Sequence, residues 1–256
     1  MTATMLNVDR LFKRFQGIIA SNDITLAVEQ GELHAVIGPN GAGKTTLIGQ
    51  LDGEIAPDSG RILFAGSDIT RLPTHRRSLL GLARSFQITS LFPDFSTLEN
   101  VTLAVQAHDG HSFRFWRDVR RERELREPAL AALKRMGLDA RADVPCSALS
   151  HGEHRQLEIA MALATRPRML LLDEPMAGLG PEESKRMVAM LRELKREFTI
   201  LLVEHDMEAV FALADRITVL FEGRVLACGA PEAIRASPEV RRAYLGEQTT
   251  AEIGRV

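Results

Sequence analysis

Residues 33–51 leave this chain the fewest choices. Leu33–Ile37 reads as a short buried strand, Gly38–Gly43 breaks it, and Lys44–Leu51 reads as the start of a helix. Across the break, Gly38-Pro39-Asn40-Gly41-Ala42-Gly43-Lys44-Thr45-Thr46 has the spacing G-x-x-x-x-G-K-[ST]. Glycines at these places let the backbone wrap closely and aim its N–H groups inward at phosphate oxygens. The following helix offers its positive N-terminal end to the same anion. Lys44 is expected to reach the β and γ phosphates, and Thr45 to put its hydroxyl on Mg²⁺. A plain glycine-rich turn is the rival, and the strand-then-helix context argues against it.

A second feature lies far along the chain. Met169–Leu172 is an apolar run ending in Asp173-Glu174-Pro175. It places two acids where a buried strand leaves a sheet, which is where open α/β sheets bind ligands. Asp173 can serve the Mg²⁺ shell, and Glu174 can position and deprotonate an attacking water. About twenty residues upstream, Leu149-Ser150-His151-Gly152-Glu153 precedes a helical pattern with Leu157, Ala160, Met161 and Ala164 on one face. Ser150 is a good N-cap for it.

Between these landmarks, Leu6–Phe15, Ile24–Val28 and Arg61–Phe64 read as strands. Gln16-Gly17, Ser21-Asn22-Asp23 and Pro57–Gly60 read as turns. The pattern is helical from about Leu98 to Thr165, with charged stretches at Phe113–Glu127 and Ala129–Met136. Phe113–Glu127 mixes six arginines, four acidic residues and three aromatics, a solvated helix face or a docking surface. Strand signals return at Thr199–Val203, after a helix near Glu182–Arg196. Ile217–Phe221 and Arg224–Cys228 flank Glu222-Gly223, a two-residue hairpin turn. A short helix near Pro231–Ala236 follows. Strands and helices alternate at both ends around a helical block, so an α/β core with a helical insertion is expected.

Composition excludes several classes. With 32 basic and 34 acidic residues the net charge is −2, without the basic excess of a nucleic-acid binder. Two cysteines, Cys146 and Cys228, make no metal-ligand pattern and suit a reducing compartment. No stretch reaches the roughly 18–20 apolar residues of a membrane span. A cytosolic protein is expected, held at a membrane only through a partner.

Taken together, the motifs resemble the nucleotide-binding subunits of ABC transporters over roughly Leu6 to Gly246. They come in family order: Gly38–Thr46 as Walker A, Gln87 as the Q-loop, Leu149–Glu153 as the signature, Leu170–Glu174 as Walker B, Ala177–Gly180 as the D-loop, and His205 as the switch histidine. The resemblance implies a P-loop NTPase core with an N-terminal antiparallel β subdomain and an inserted helical subdomain. It forms one domain over 1–256: core at about 1–97 and 166–246, helical subdomain at 98–165, tail at 247–256. It implies that Gln87 touches Mg²⁺ or the lytic water, His205 contacts the γ-phosphate, and Phe15 stacks on adenine. It implies that Ser150, His151 and Gly152 face the ATP bound by a second subunit, so that hydrolysis needs a homo- or heterodimer. Three positions depart from the family pattern: His151 and Glu153 stand where Gly and Gln are common, and Gly180 where Asp or Asn is usual.

Finer wording resembles the ATPases of branched-chain amino acid importers: Phe15-Gln16-Gly17-Ile18-Ile19-Ala20, Leu157-Glu158-Ile159-Ala160, Glu204-His205-Asp206-Met207 and Arg242-Ala243-Tyr244-Leu245-Gly246-Glu247. The implied partners are a second ATPase subunit, multi-span permease subunits at the cytoplasmic face of the inner membrane and, indirectly, a periplasmic binding protein. The transported solute never touches this subunit, so a urea-type importer and a lipopolysaccharide-type exporter stay as alternatives. A ribosome-acting ABC protein would carry two such domains, and a DNA-repair ABC ATPase a long coiled coil that Leu98–Thr165 lacks.

Overall fold

The computed structural model describes residues 3–85, 91–108 and 123–245. The chain opens with a long hairpin of β1 (Thr4–Phe15) and β2 (Ile18–Glu29). The turn is Gln16-Gly17, with Gln16 in the left-handed region. Ser21-Asn22-Asp23 is not a turn, as its composition predicts, but part of β2. The Asn22 N–H donates to the Gly223 carbonyl at 2.7 Å, and Asp23 takes a positive φ of 61°. The polar triplet thus marks an irregular stretch of strand that docks on another turn.

After β3 (Leu33–Ile37) and α1 (Lys44–Asp52) come β4 (Ser59–Phe64), β5 (Ser67–Asp68), α2 (Thr74–Leu79) and β6 (Leu82–Arg84). The helical block consists of α3 (Thr97–His108), α4 (Arg123–Arg135) and α5 (His151–Ala164). The remainder alternates: β7 (Met169–Asp173), α6 (Pro181–Leu194), β8 (Thr199–Val203), α7 (Met207–Leu213), β9 (Arg216–Phe221), β10 (Arg224–Gly229), then α8 (Pro231–Ala236) and α9 (Pro238–Val240). The helix α4 runs through Pro128 without ending there, unlike the division its sequence suggests. Buried Leu125, Ala129, Ala132 and Leu133 lie on both sides of the proline and hold the helix against its neighbours. Most of the arginine-rich stretch, 113–122, lies outside the described residues.

Two sheets form. One is antiparallel, in the order β2-β1-β4-β5. The other has the order β10-β9-β3-β8-β7-β6 and is parallel except for β10. Strands β3 and β8 are buried at every residue, as parallel strands covered on both faces must be. Side chains alternate between two cores. Leu170, Leu172, Ile200 and Leu202 pack against α3–α6, whereas Met169, Leu171, Leu201 and Val203 pack against α1 and the antiparallel sheet. A third cluster joins β9 to α7, α8 and α9. No helix among the described residues is long and apolar enough to cross a membrane.

Candidate nucleotide site

Register brings the candidate residues together. Val36 pairs with Val203, and Val203 with Asp173, so β3, β8 and β7 end in line. Beyond those ends lie Gly38 from β3, Glu204 and His205 from β8, and Glu174 from β7. Residues more than 160 positions apart in the chain therefore meet beyond the C-terminal ends of three neighbouring strands of one sheet.

The phosphate loop follows β3 directly. Its glycines are needed for close approach. A Cβ on Gly43, at φ 101°, would sit 2.3 Å from the Ala20 carbonyl oxygen, and one on Gly38 would sit 2.3 Å from that of Leu220. Such contacts exclude any side chain there. Lys44, only 8% exposed, donates to the carbonyls of Gly38 at 2.6 Å and Pro39 at 3.1 Å. Burial lowers its pKa, while the charges of Glu174 and Asp173 oppose that change. Thr45 is exposed at the start of α1 and Thr46 is half-buried.

Glu174 leaves β7 with a positive φ of 48°, held by its N–H donating to the Val203 carbonyl at 2.8 Å. A left-handed backbone at a non-glycine residue is a strained feature that the surroundings must enforce. Its carboxylate lies 3.6 Å from His205 Nδ1, and both side chains are open to solvent. Asp173 points inward. Burial pushes its carboxyl up, against the pull of the Arg84 guanidinium, which donates to Oδ2 at 3.1 Å. A threonine hydroxyl and a carboxylate are hard oxygen donors, the set expected for a magnesium ion that keeps water and phosphate oxygens as its other ligands.

Two contributors escape sequence reasoning. Arg84 is one. The other is Glu204, whose buried carboxylate accepts from the N–H groups of Met176 (2.9 Å), His205 (2.9 Å) and Asp206 (3.2 Å). It fastens the chain after Glu174 to the chain around His205. Its only signal in the sequence is an acid placed directly after an apolar strand.

Phe15 is 44% exposed at the tip of the first hairpin, with Lys13 Nζ 5.3 Å from its ring centroid. Its ring is therefore open to solvent and not part of the core. Gln87 lies outside the described residues.

Ser150, His151 and Gly152 lie at the N-terminus of α5, against the D-loop and the start of α6. Ser150 Oγ accepts from the Glu153 N–H at 3.2 Å, and Glu153 Oε2 accepts from the Ser150 N–H at 2.8 Å. Glu153 is thus the second half of a capping box, with Arg141 paired to it at 2.9 Å. His151 Nε2 donates to the Ala177 carbonyl at 3.1 Å and lies 2.8 Å from where a Cβ on Gly178 would be. Gly180 is the N-cap of α6, its N–H donating to Glu183 at 3.1 Å. Each departure from the family pattern thus has a local partner.

A phosphate loop, a carboxylate pair and a histidine on adjacent parallel strand ends define a P-loop nucleotide hydrolase. The family description "ABC transporter" matches residues 21–177, and "Branched-chain amino acid ATP-binding cassette transporter" matches residues 224–249. The chain is 40% identical to the high-affinity branched-chain amino acid transport ATP-binding protein BraF of Pseudomonas aeruginosa, over 96% of this chain and all of that one. It is 36% identical to the lipopolysaccharide export system ATP-binding protein LptB of Acidithiobacillus ferridurans, over 95% and 98%. A crystal structure of the ADP conformation of an ATP-binding cassette of an ABC transporter superposes with a TM-score of 0.85 at 29% identity, covering 96% of this chain and all of that one. The chain belongs to the ATP-hydrolysing, ATP-binding subunits of ABC transporters.

Proposed function

We propose that this subunit hydrolyses ATP in a dimer, homo- or heteromeric, to drive import of branched-chain or related amino acids through multi-span permease subunits. It would work at the cytoplasmic face of the inner membrane, with a periplasmic binding protein delivering the solute to the permease. The observation that carries the reading is the split between two groups. Asp173, Glu174 and His205 lie at neighbouring strand ends beside the loop that holds Lys44, whereas Ser150–Gly152 begins a helix with contacts to the D-loop and α6. A dimer would bring the second group of one protomer to the ATP held by the first group of its partner. The family description matching residues 224–249 favours an amino acid over urea or lipopolysaccharide.

In this reading the loop amides of Gly38–Thr46, the N-terminus of α1 and Lys44 hold the β and γ phosphates, and Phe15 stacks on adenine. Thr45, Asp173 and Gln87 would hold Mg²⁺, which when bound neutralises charge on the phosphoryl oxygens. Glu174 takes a proton from water as the water oxygen bonds to the γ-phosphorus. The bond from that phosphorus to the bridging oxygen breaks, and ADP leaves with its electron pair. His205 and the partner's signature helix stabilise the transferring phosphoryl group. The helical subdomain, 98–165, would pass closure to the permease.

Glu174→Gln should lower ATP turnover roughly 10²–10⁴-fold, the usual contribution of a general base, and accumulate an ATP-dependent dimer in size-exclusion chromatography. Turnover at the wild-type rate would remove Glu174 from the mechanism. For the solute, cells lacking the chain should lose uptake of radiolabelled leucine and regain it with wild type but not with Glu174→Gln. Leucine uptake that persists in those cells would overturn the amino acid assignment.

A further inference from the structure

Arg84 ends β6, beside β7, and its side chain is only 11% exposed. Its Nη1 donates to Asp52 and to Glu54 Oε2, the latter at 2.8 Å. Its Nη2 donates to Asp173 Oδ2 at 3.1 Å. Asp52 is the last residue of α1, whose first turn carries Lys44 and Thr45. One guanidinium therefore ties the far end of the phosphate-loop helix to the carboxylate at the end of β7. The arrangement is not one that stability alone would favour. A buried arginine with three acids gives little net stabilisation compared with apolar packing. Among the described residues, Arg84 Nε also has no partner. Both terminal nitrogens are committed to carboxylates on two separate elements, which a fork can do and a lysine point charge cannot.

We infer that Arg84 is a positioning residue for magnesium-dependent nucleotide binding: it fixes Asp173 by one carboxylate oxygen and locks it to the helix of the phosphate loop. The inference rests on the proposed role of Asp173 toward Mg²⁺. Groups that orient a metal-binding carboxylate commonly change metal affinity 10–100-fold when removed.

The test is binding of a fluorescent, non-hydrolysable ATP analogue to the full chain during Mg²⁺ titration, and again in EDTA. For Arg84→Ala the Mg²⁺ concentration at half-saturation should rise roughly 10–100-fold, with binding in EDTA unchanged. Arg84→Lys should shift it less, since an ammonium reaches one carboxylate at a time. Glu54→Gln, which removes only an exposed partner, should leave it as in wild type. Circular dichroism identifies folded variants, and if Arg84→Ala does not fold, Arg84→Lys carries the comparison. Asp173→Asn separates the two ideas. If it raises the Mg²⁺ requirement and the folded Arg84 variants do not, the role of Arg84 is overturned. If Asp173→Asn has no effect, the magnesium role of Asp173 falls and this inference with it.

Discussion

Three backbone N–H groups converge on one carboxylate, that of Glu204, and no solvent reaches it. Burial pushes its carboxyl up, and the three donors pull it back. Glu204→Gln must turn an NH₂ group toward N–H donors on one side, leaving at least one buried donor unpaired. The expected cost is roughly 1–3 kcal/mol, read from the shift of the urea denaturation curve. An unshifted curve would mean the three bonds are replaceable. Cys228 shows the opposite case, an exposed thiol with polar neighbours. The His34 imidazole, with Thr218 (Oγ 3.3 Å from Sγ) and Arg216 (3.7 Å), brings its pKa down to about 6. The thiolate is the nucleophile, so its fraction, and the alkylation rate, should rise through pH 6 instead of the roughly 8.5 of a free thiol. Iodoacetamide labelling followed by mass spectrometry across that range checks this, with buried Cys146 as the unreactive reference.

At the scale of elements, α5 depends on its first turn. Ser150→Ala removes the side-chain half of the capping box and should cost about 1 kcal/mol, measurable by thermal denaturation. Glu153→Gln keeps a capping-box residue and should cost less. Which elements were legible follows from how each is held. The strand–loop–helix at 33–51 and the runs at 169–172 and 199–203 declare themselves, because a strand covered on both faces must be apolar throughout. The hairpin turn at Glu222-Gly223 is equally plain, since both residues need positive φ. By contrast β6 has only three residues, too few for a period, and exists because Leu82–Arg84 pairs with Met169–Leu171. Ser21–Asp23 has the composition of a turn, but the Asn22 N–H is satisfied by Gly223, a partner 201 positions further along the chain. Arg84 and Glu204 were hidden for a related reason: a charge at a strand end looks solvent-exposed until its distant partners are known.

Across the whole molecule, β8 divides the interior. Leu201 faces the core shared with α1 and the antiparallel sheet, and Leu202 faces the core of the helical block. Each truncation to Ala should cost about 2–5 kcal/mol. The double variant should cost the sum to within about 0.5 kcal/mol, since the two cavities open on opposite faces of the sheet. A large departure from additivity in chemical denaturation would show that the two cores respond as one. The position of β8 also has a temporal meaning. It lies between β3 and β7 although it follows both in the chain. A nascent chain that has exposed residues 1–198 already owns its phosphate loop and its Asp173-Glu174 pair, yet lacks the strand that sets them side by side. The ribosome thus finishes the individual parts well before it can finish the site, and a chain stalled in that interval would present both edges of β3 and one edge of β7 unpaired to whatever binds them first.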